Sequence, residues 1–388
     1  MEYYIERLEN ELKKIMDFWL HYMLWKDNAT LYPAVSINNM PDREASMGSL
    51  FLSRVMYGAS AACRALNTQS YKILADMAFK TLYEKFRNPA GGFYWARSSN
   101  NQLIHDIENT NMAQAFVLYG LSEYVQLTGN PIVEGEMKKL QLFITNNITD
   151  KTNGGFLDGY SADWKQSQNF NKALATHLHL MEAFVKQYQF TGDKHLAAQI
   201  GGLIEIIADR FIDSSHTQCF HRLTPDWGPL PDFNWAGHNA EVGWLLTWAS
   251  YTIKNEHLHQ RCSKIAKSLT EKVIEQAFDK SYGGVFNDLK EGQPTEDHKI
   301  WWPQAEAALA CMNAYICTKD KTFLSYGLRL IEYIENTFSD PASGEWYSTV
   351  SREGRPIESE PKVHFWKSLY HNVRYCIEMR NMVKSLVK

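Results

Sequence analysis

A short glycine/aromatic signal returns about every 62 residues along this chain of 388, and a fixed period of that length restricts the fold to copies of one helical unit, stacked or closed into a ring. The copies read Gly91-Gly92-Phe93-Tyr94-Trp95, Gly154-Gly155-Phe156-Leu157, Gly283-Gly284-Val285-Phe286 and Gly344-Glu345-Trp346-Tyr347. The double-width gap in the middle predicts a degenerate copy near residue 218, at Cys219-Phe220-His221. Run backwards, the same period predicts another near residue 29, at Ala29-Thr30-Leu31-Tyr32. A second series, Leu127-Thr128-Gly129-Asn130, Phe190-Thr191-Gly192-Asp193 and Cys317-Thr318-Lys319-Asp320, marks the other end of each unit. Two interleaved marks at one period define a helix–turn–helix–hairpin repeat, and six of them fill the chain.

Apolar residues recur at helical spacing between these marks, in 50–66, 112–127, 173–189, 240–254, 303–316 and 366–384, which predicts around twelve helices. The double-glycine segments are too short and too aromatic for helices and read as β-hairpin tips. Six antiparallel helix pairs close most economically into an all-α (α/α)6 barrel, with short hairpins in the loops of one face and a pocket formed by the long connections. No Pro/Ser-rich linker or charge block interrupts the repeat, so residues 1–388 are expected to form one such domain. A formal net charge of −4 with mixed signs argues against a nucleic-acid or anionic-membrane partner. The six cysteines at 63, 219, 262, 311, 317 and 376 lack metal-ligand spacing and read as buried free thiols of a reducing, cytoplasmic compartment. The N-terminus runs straight into an amphipathic helix carrying Ile5, Leu8, Leu12, Ile15 and Trp19, so no signal peptide is expected, and no run of 18 apolar residues predicts a membrane span.

Aromatic residues make up 13% of the chain, and those beyond the needs of a core gather in the inter-helix segments. Rings collected at one end of a helical toroid suit a sugar, whose C–H faces stack on aromatics while its hydroxyls need polar rims. Four constellations supply polar groups there. His238 and Glu241 of Gly237-His238-Asn239-Ala240-Glu241 stand three apart on one helix face, an arrangement in which a carboxylate can orient an imidazole. His179 and Glu182 repeat that spacing in His177-Leu178-His179-Leu180-Met181-Glu182, where at most one of the two histidines can face the pocket. Trp301-Trp302-Pro303-Gln304-Ala305-Glu306 places two indoles ahead of a helix expected to begin at Pro303. Phe365-Trp366-Lys367-Ser368-Leu369-Tyr370-His371-Asn372-Val373-Arg374 reads as a polar and aromatic rim opening the last helix. Metal ligation finds no support in an HExxH or Cys/His cluster.

Together with Leu52-Ser53-Arg54 and Gly344-Glu345-Trp346-Tyr347, these segments resemble the N-acylglucosamine 2-epimerase family from about residue 45 to the C-terminus, nearest its cellobiose 2-epimerase branch. The resemblance implies an (α/α)6 barrel and an isomerase that inverts C2 of an aldose without metal or nicotinamide. The substrate would be the reducing end of a β-1,4 disaccharide such as cellobiose, or a free hexose or N-acylhexosamine. It implies that His238 and His371 are the acid/base pair on opposite faces of C2, and that Arg54 and His179 stand near the carbonyl and hydroxyl oxygens. Glu241 and Glu306 would orient imidazoles or hydroxyls, with Trp301, Trp302, Trp366, Tyr370, Asn109 and Gln114 completing the substrate site. Two departures, Asn239 where cellobiose enzymes carry Asp and the stretch Asn109 to Gln114 where they carry a histidine, fall where substrate fit is expected to be set.

The chemistry fits those residue types. Epimerisation needs ring opening, removal of the C2 proton, and return of a proton to the other face of a cis-enediolate. Two imidazoles titrating near neutrality can exchange base and acid roles, and a guanidinium can hold the oxyanion. Competing readings are an aldose–ketose isomerase, a non-catalytic sugar-binding protein, and a glycoside hydrolase drawing on the loop aspartates Asp158, Asp163, Asp226 and Asp232. The expected partner is a small sugar, and the expected assembly a monomer or homodimer.

Overall fold

The computed structural model describes residues 1–105, 109–161, 163–165, 171–231 and 233–387. Twelve α-helices are found among them. Six form an inner ring: α2 (Ser49–Leu66), α4 (Thr110–Thr128), α6 (Leu174–Thr191), α8 (Ala236–Thr252), α10 (Trp301–Thr318) and α12 (His371–Val387). The others wrap them: α1 (Glu2–Tyr22), α3 (Lys72–Lys85), α5 (Pro131–Asn147), α7 (Lys194–Ile206), α9 (Glu256–Ala277) and α11 (Lys321–Tyr333). Each inner helix packs on the next, α12 returns to α2, and each outer helix packs on an inner partner, which is the (α/α)6 barrel the repeat predicted. α4 is buried without a break from Thr110 to Val125, as a helix covered on all sides must be. α1 instead buries only the stripe around Leu8, Leu12, Ile15 and Trp19.

The second sequence series is the joint from inner to outer helix. Gly129, Gly192 and Lys319 end α4, α6 and α10 in the left-handed region at φ of 59°, 66° and 62°. The next residue then caps the outer helix: Asn130 accepts from the Ile132 N–H, Asp193 from His195 and Asp320 from Thr322, satisfying one of the helix's orphan donors. The first series is the hairpin. Bridges join Arg87 to Phe93, Thr149 to Phe156, Ile212 to Cys219, Phe278 to Val285 and Ser339 to Trp346, and strand 24–25 pairs with 30–31. Both degenerate copies are therefore present.

One interaction recurs beneath the hairpins. The backbone N–H of Phe93, Phe156, Cys219 and Val285 is accepted by Gln114, His177, Asn239 and Gln304 of the inner helices, at 2.9, 3.0, 2.8 and 2.7 Å. Short strands at 47–48, 172–173, 234–235 and 298–300 run directly into α2, α6, α8 and α10, so the first turns of the inner helices are delivered to the sheet end of the barrel. All six cysteines are free thiols, five of them buried. No helix among the described residues is long and apolar enough to cross a membrane.

Two helix starts differ from expectation. α10 begins at Trp301, two residues before Pro303; Pro there still falls within the first turn, where a missing N–H breaks no helical bond. α12 begins at His371 rather than near 366. The preceding segment is held against α2, where a Cβ on Gly58 would lie 2.0 Å from the Leu369 carbonyl.

Candidate active site

The inner-helix N-termini enclose a cavity of about 660 Å³. Of the residues expected there, Arg54, Asn109, His179, His238, Glu241, Trp301, Trp302, Trp366 and His371 line it; Glu306, Tyr370 and Gln114 do not. Gln114 is spent on the Phe93 hairpin, accepting its N–H and donating to its carbonyl at 2.8 Å. Asn239, the departure expected to tune substrate fit, is likewise buried in a hairpin latch, with its amide donating to Asn234 Oδ1. His177 faces away from the cavity and His179 into it, as the spacing required.

Glu306 and Tyr370 lie beneath the cavity floor, in a network centred on Arg374 of α12. The Arg374 guanidinium donates to Glu182 of α6 and Tyr370 OH through Nη1, and through Nη2 to Glu241 of α8 at 2.5 Å and Glu306 of α10 at 2.8 Å. Arg374 is thus no rim residue but the buried centre of the barrel. Two of the carboxylates carry further donors: Tyr370 OH on Glu182 at 2.6 Å, and the Trp244 indole on Glu306 at 2.8 Å. The sequence held a signal for this centre. His179, His238 and His371 are each followed three residues later by a charge, Glu182, Glu241 and Arg374, so one helix face sends the imidazole to the cavity and the charge to the axis.

The imidazoles are held differently. His371 Nδ1 lies 2.7 Å from Glu306 Oε1, and His179 Nδ1 lies 2.8 Å from Glu182 Oε2. His238 lacks the expected carboxylate, because Glu241 is turned to Arg374. Its Nδ1 is buried with no hydrogen-bond partner among the described residues. Its ring is packed by Trp235, Trp302 and His221, at centroid distances of 5.1, 5.1 and 4.9 Å. Trp302 also meets the His371 ring at 5.4 Å. Its indole therefore touches both imidazoles, which come from the two helices flanking α10. Gly237 makes that packing possible, since a Cβ there would sit 2.4 Å from the Trp302 ring.

Arg54 spans the cavity wall. Its Nη1 donates to the Trp366 carbonyl at 2.7 Å and its guanidinium lies over Phe116 and Tyr370, at 4.2 and 4.9 Å. Burial brings Arg54 down to about 10, which leaves it charged at neutral pH. Burial also pushes His238 well down, with His221 adding to the effect, and pushes His371 down against the opposing pull of Glu241. Burial raises Glu306 despite Arg374. For Glu182 burial is outweighed by Arg374 and by the hydrogen bonds from His179 and Tyr370, leaving it at about 2.

Two triplets of ligand-type groups converge among the described residues, His179 with Glu182 and Glu241, and Glu241 with Glu306 and His371. The Arg374 guanidinium already donates to all three of these carboxylates, so the cation they enclose is the protein's own. Of the loop aspartates a glycosidase would use, Asp158 lines the cavity and accepts from Thr176 at 2.7 Å. Asp163 and Asp226 sit on exposed turns, and Asp232 lies outside the described residues. Met112 of α4 also lines the cavity, and further lining groups, His221, Arg222, Phe233, Asn287 and Asp288, come from connections whose approach a one-dimensional pattern does not encode.

A family model described as N-acylglucosamine 2-epimerase (GlcNAc 2-epimerase) matches residues 37–374. A cellobiose 2-epimerase of Dictyoglomus turgidum is 30% identical over 387 residues, covering 96% of this chain and 97% of the relative. One from Bacteroides fragilis is 27% identical over 395 residues, covering 96% and 99%. The solved cellobiose 2-epimerase of Bacillus thermoamylovorans superimposes with a TM-score of 0.89 at 25% identity, covering 98% of this chain and 100% of that one.

Proposed function

The chain belongs to the N-acylglucosamine 2-epimerase family and is an enzyme of the isomerase class, and on that premise we propose that it interconverts the gluco and manno forms of an aldose at C2, with His238 and His371 as the proton-transfer pair. The observation that carries this reading is the placement of both imidazoles against one indole, Trp302, in a single sugar-sized cavity.

The opened aldose presents its C2–H to one imidazole Nε2, which takes the proton while the C1 oxygen gains charge beside the Arg54 guanidinium. The other imidazole, protonated, returns a proton to the opposite face of the planar enediolate. Each turnover leaves the pair with its roles exchanged, ready for the reverse reaction. This needs one proton shared across two histidines of the cavity wall, although desolvation opposes charging either. The surroundings supply the counter-charge: three carboxylates, Glu182, Glu241 and Glu306, stand against two guanidiniums, Arg374 and Arg54. When ionised, these groups leave one net negative charge, which one imidazolium neutralises. His179, oriented by Glu182, lines the same cavity and suits a hydroxyl contact.

The reducing end of a β-1,4 disaccharide is the substrate class favoured by the cellobiose 2-epimerase relatives and by the aromatic mouth. Trp366 is 42% exposed and Phe233 68% exposed on the cavity rim, flat apolar faces that would otherwise be costly to leave in water. The test is incubation with cellobiose, mannose and N-acetylmannosamine in D2O, followed at C2 by NMR. Deuterium at C2 with appearance of the second epimer is expected for cellobiose. A ketose as main product would assign the protein to aldose–ketose isomerisation, and absence of C2 exchange with all three sugars would remove the epimerase reading.

A further inference from the structure

The last repeat departs from the latch that four other hairpins share, and it is the repeat that leads into His371. In those four, a neutral side chain of the inner helix accepts the hairpin N–H. In the hairpin at 344–347 the corresponding N–H, that of Trp346, goes to the carboxylate of Glu345 at 2.7 Å. The inner helix answers with a donor instead: Asn372 Nδ2 reaches the same Oε1 at 2.8 Å. Lys367 Nζ adds a third donor to Oε1 at 3.0 Å, while Oε2 takes the Trp19 indole N–H of α1 at 2.7 Å. The side chains of Glu345 and Lys367 are each only 1% exposed.

A buried ion pair is a costly replacement for a neutral amide, and contributes little to stability unless its geometry is well satisfied. Its position shows what it fixes. Lys367 follows Trp366, whose carbonyl anchors Arg54, and also donates to the Lys362 carbonyl at 2.7 Å. Asn372 follows His371, the first residue of α12. Glu345 therefore grips both ends of the segment that carries Trp366 and His371, and its second oxygen ties that grip to α1, which contributes no residue to the cavity lining.

We propose that Glu345 is a positioning residue for His371: through Lys367 and Asn372 it sets where α12 begins, and through Trp19 it makes that setting depend on the docking of α1. The inference rests on the reading of His371 as one of the two proton-transfer groups. An amide at 345 can accept at only one of its two positions, so Glu345→Gln must release either Trp19 or the Lys367/Asn372 pair.

The experiment measures C2 deuterium exchange separately from each epimer in Glu345→Gln, Glu345→Gln/Lys367→Met and Trp19→Phe, beside His371→Ala. Glu345→Gln is expected to lower kcat about 10- to 100-fold with KM within about threefold, losing exchange in the same epimer that His371→Ala silences. Trp19→Phe should show the same asymmetry at about two- to fivefold, and carries the test if Glu345→Gln does not fold. The double variant removes the unpaired lysine, so a defect that persists there belongs to positioning. Equal loss from both epimers, or wild-type exchange from both in folded variants, would overturn the proposal. A second readout needs no reaction: the imidazole 15N resonances of His371, but not those of His238, should move in the sugar-free Trp19→Phe and Glu345→Gln proteins. If the wild type exchanged C2 of no sugar, the functional reading would fall, while those resonances would still judge the coupling.

Discussion

At the start of α12, His371 is oriented by a carboxylate, Glu306 Oε1 at 2.7 Å from its Nδ1; at the start of α8, His238 is oriented, among the described residues, by packing between Trp235, Trp302 and His221. A carboxylate only accepts, so His371 carries its first proton on Nδ1 and turns Nε2 to the cavity as a base. His238, whose Nδ1 has no partner among the described residues, has no such constraint on its tautomer. The two faces of C2 would therefore be served by groups of unlike rigidity. A barrel built from repeats has not made its two acid/base groups equivalent.

The harshest test of that difference deletes each side in turn. His371→Ala and His238→Ala should each abolish net epimerisation, because every turnover uses one group to remove the proton and the other to supply it. The surviving base should still wash deuterium into the epimer whose C–H it faces, about 10²–10⁴ slower than wild type where geometry is disturbed. The two variants should retain exchange in different epimers. Either one interconverting the epimers at near wild-type rate would remove that histidine from the mechanism.

Removing the carboxylate should be milder and one-sided. Glu306→Gln leaves one acceptor oxygen for two sets of donors, His371 with Arg374 on one side and the Trp244 indole on the other, and removes one of the three charges that offset an imidazolium, so kcat should fall about 10- to 100-fold, chiefly through the His371 face. An equal fall in exchange from both epimers would mean that the charge of the cluster matters and the orientation of His371 does not. The matching change on the other side is steric. Gly237→Ala places a Cβ 2.4 Å from the Trp302 ring, forcing the indole off His238, and about a tenfold loss of turnover is expected with little change in thermal midpoint. Crystals of this variant with Trp302 unmoved would show that the packing tolerates more than the distances imply.

These contrasts also mark where the sequence stops being legible. Period and spacing locate the six hairpins, the capped joints and three of the four cavity histidines, because each depends on residues close together in the chain. The partners of Glu241 and Glu306 depend on which neighbouring helix reaches the axis, and for that reason the sequence alone places Arg374 on a rim. Trp301-Trp302-Pro303 looks like the approach to a Pro-initiated helix, yet strand 298–300 leads straight into α10 and absorbs both indoles into its first turn. Residues 366–370 keep helical apolar spacing, but Lys367 is drawn to Glu345 and Leu369 lies against Gly58, so α12 starts only at His371. Gln114 and Asn239 sit at the latch position of their repeats; comparing them with His177 and Gln304 at the same period was the signal available to separate latch from substrate contact.

His177 gives the smallest effect and the cleanest control. Like His238 it is packed among aromatic rings, with Phe211 at 4.9 Å and Trp227 at 5.9 Å, but it is fully buried and both of its nitrogens are committed. Nδ1 donates to the Ala173 carbonyl at 2.8 Å and Nε2 accepts the Phe156 N–H at 3.0 Å, leaving no lone pair or proton to exchange with a sugar. Burial brings its pKa down to about 4, below the value of about 6.5 expected for an unfolded histidine. The unfolded chain therefore takes up the proton first as pH falls, and the folded state loses stability between about pH 6.5 and 4. For this one group the loss amounts to about 3 kcal/mol between pH 7 and pH 4. His177→Gln installs the amide that Gln114 and Gln304 use at the same place in their repeats, which keeps an acceptor for Phe156. Epimerisation at pH 7 should stay within about twofold of wild type, while urea midpoints measured from pH 7 down to pH 4 should fall less steeply than in the wild type. A tenfold loss of turnover would put His177 into the chemistry. An unchanged acid slope would mean that its proton balance is the same folded and unfolded, so that packing between rings does not by itself hold an imidazole neutral in this barrel, and the neutrality assigned to His238 would need another cause.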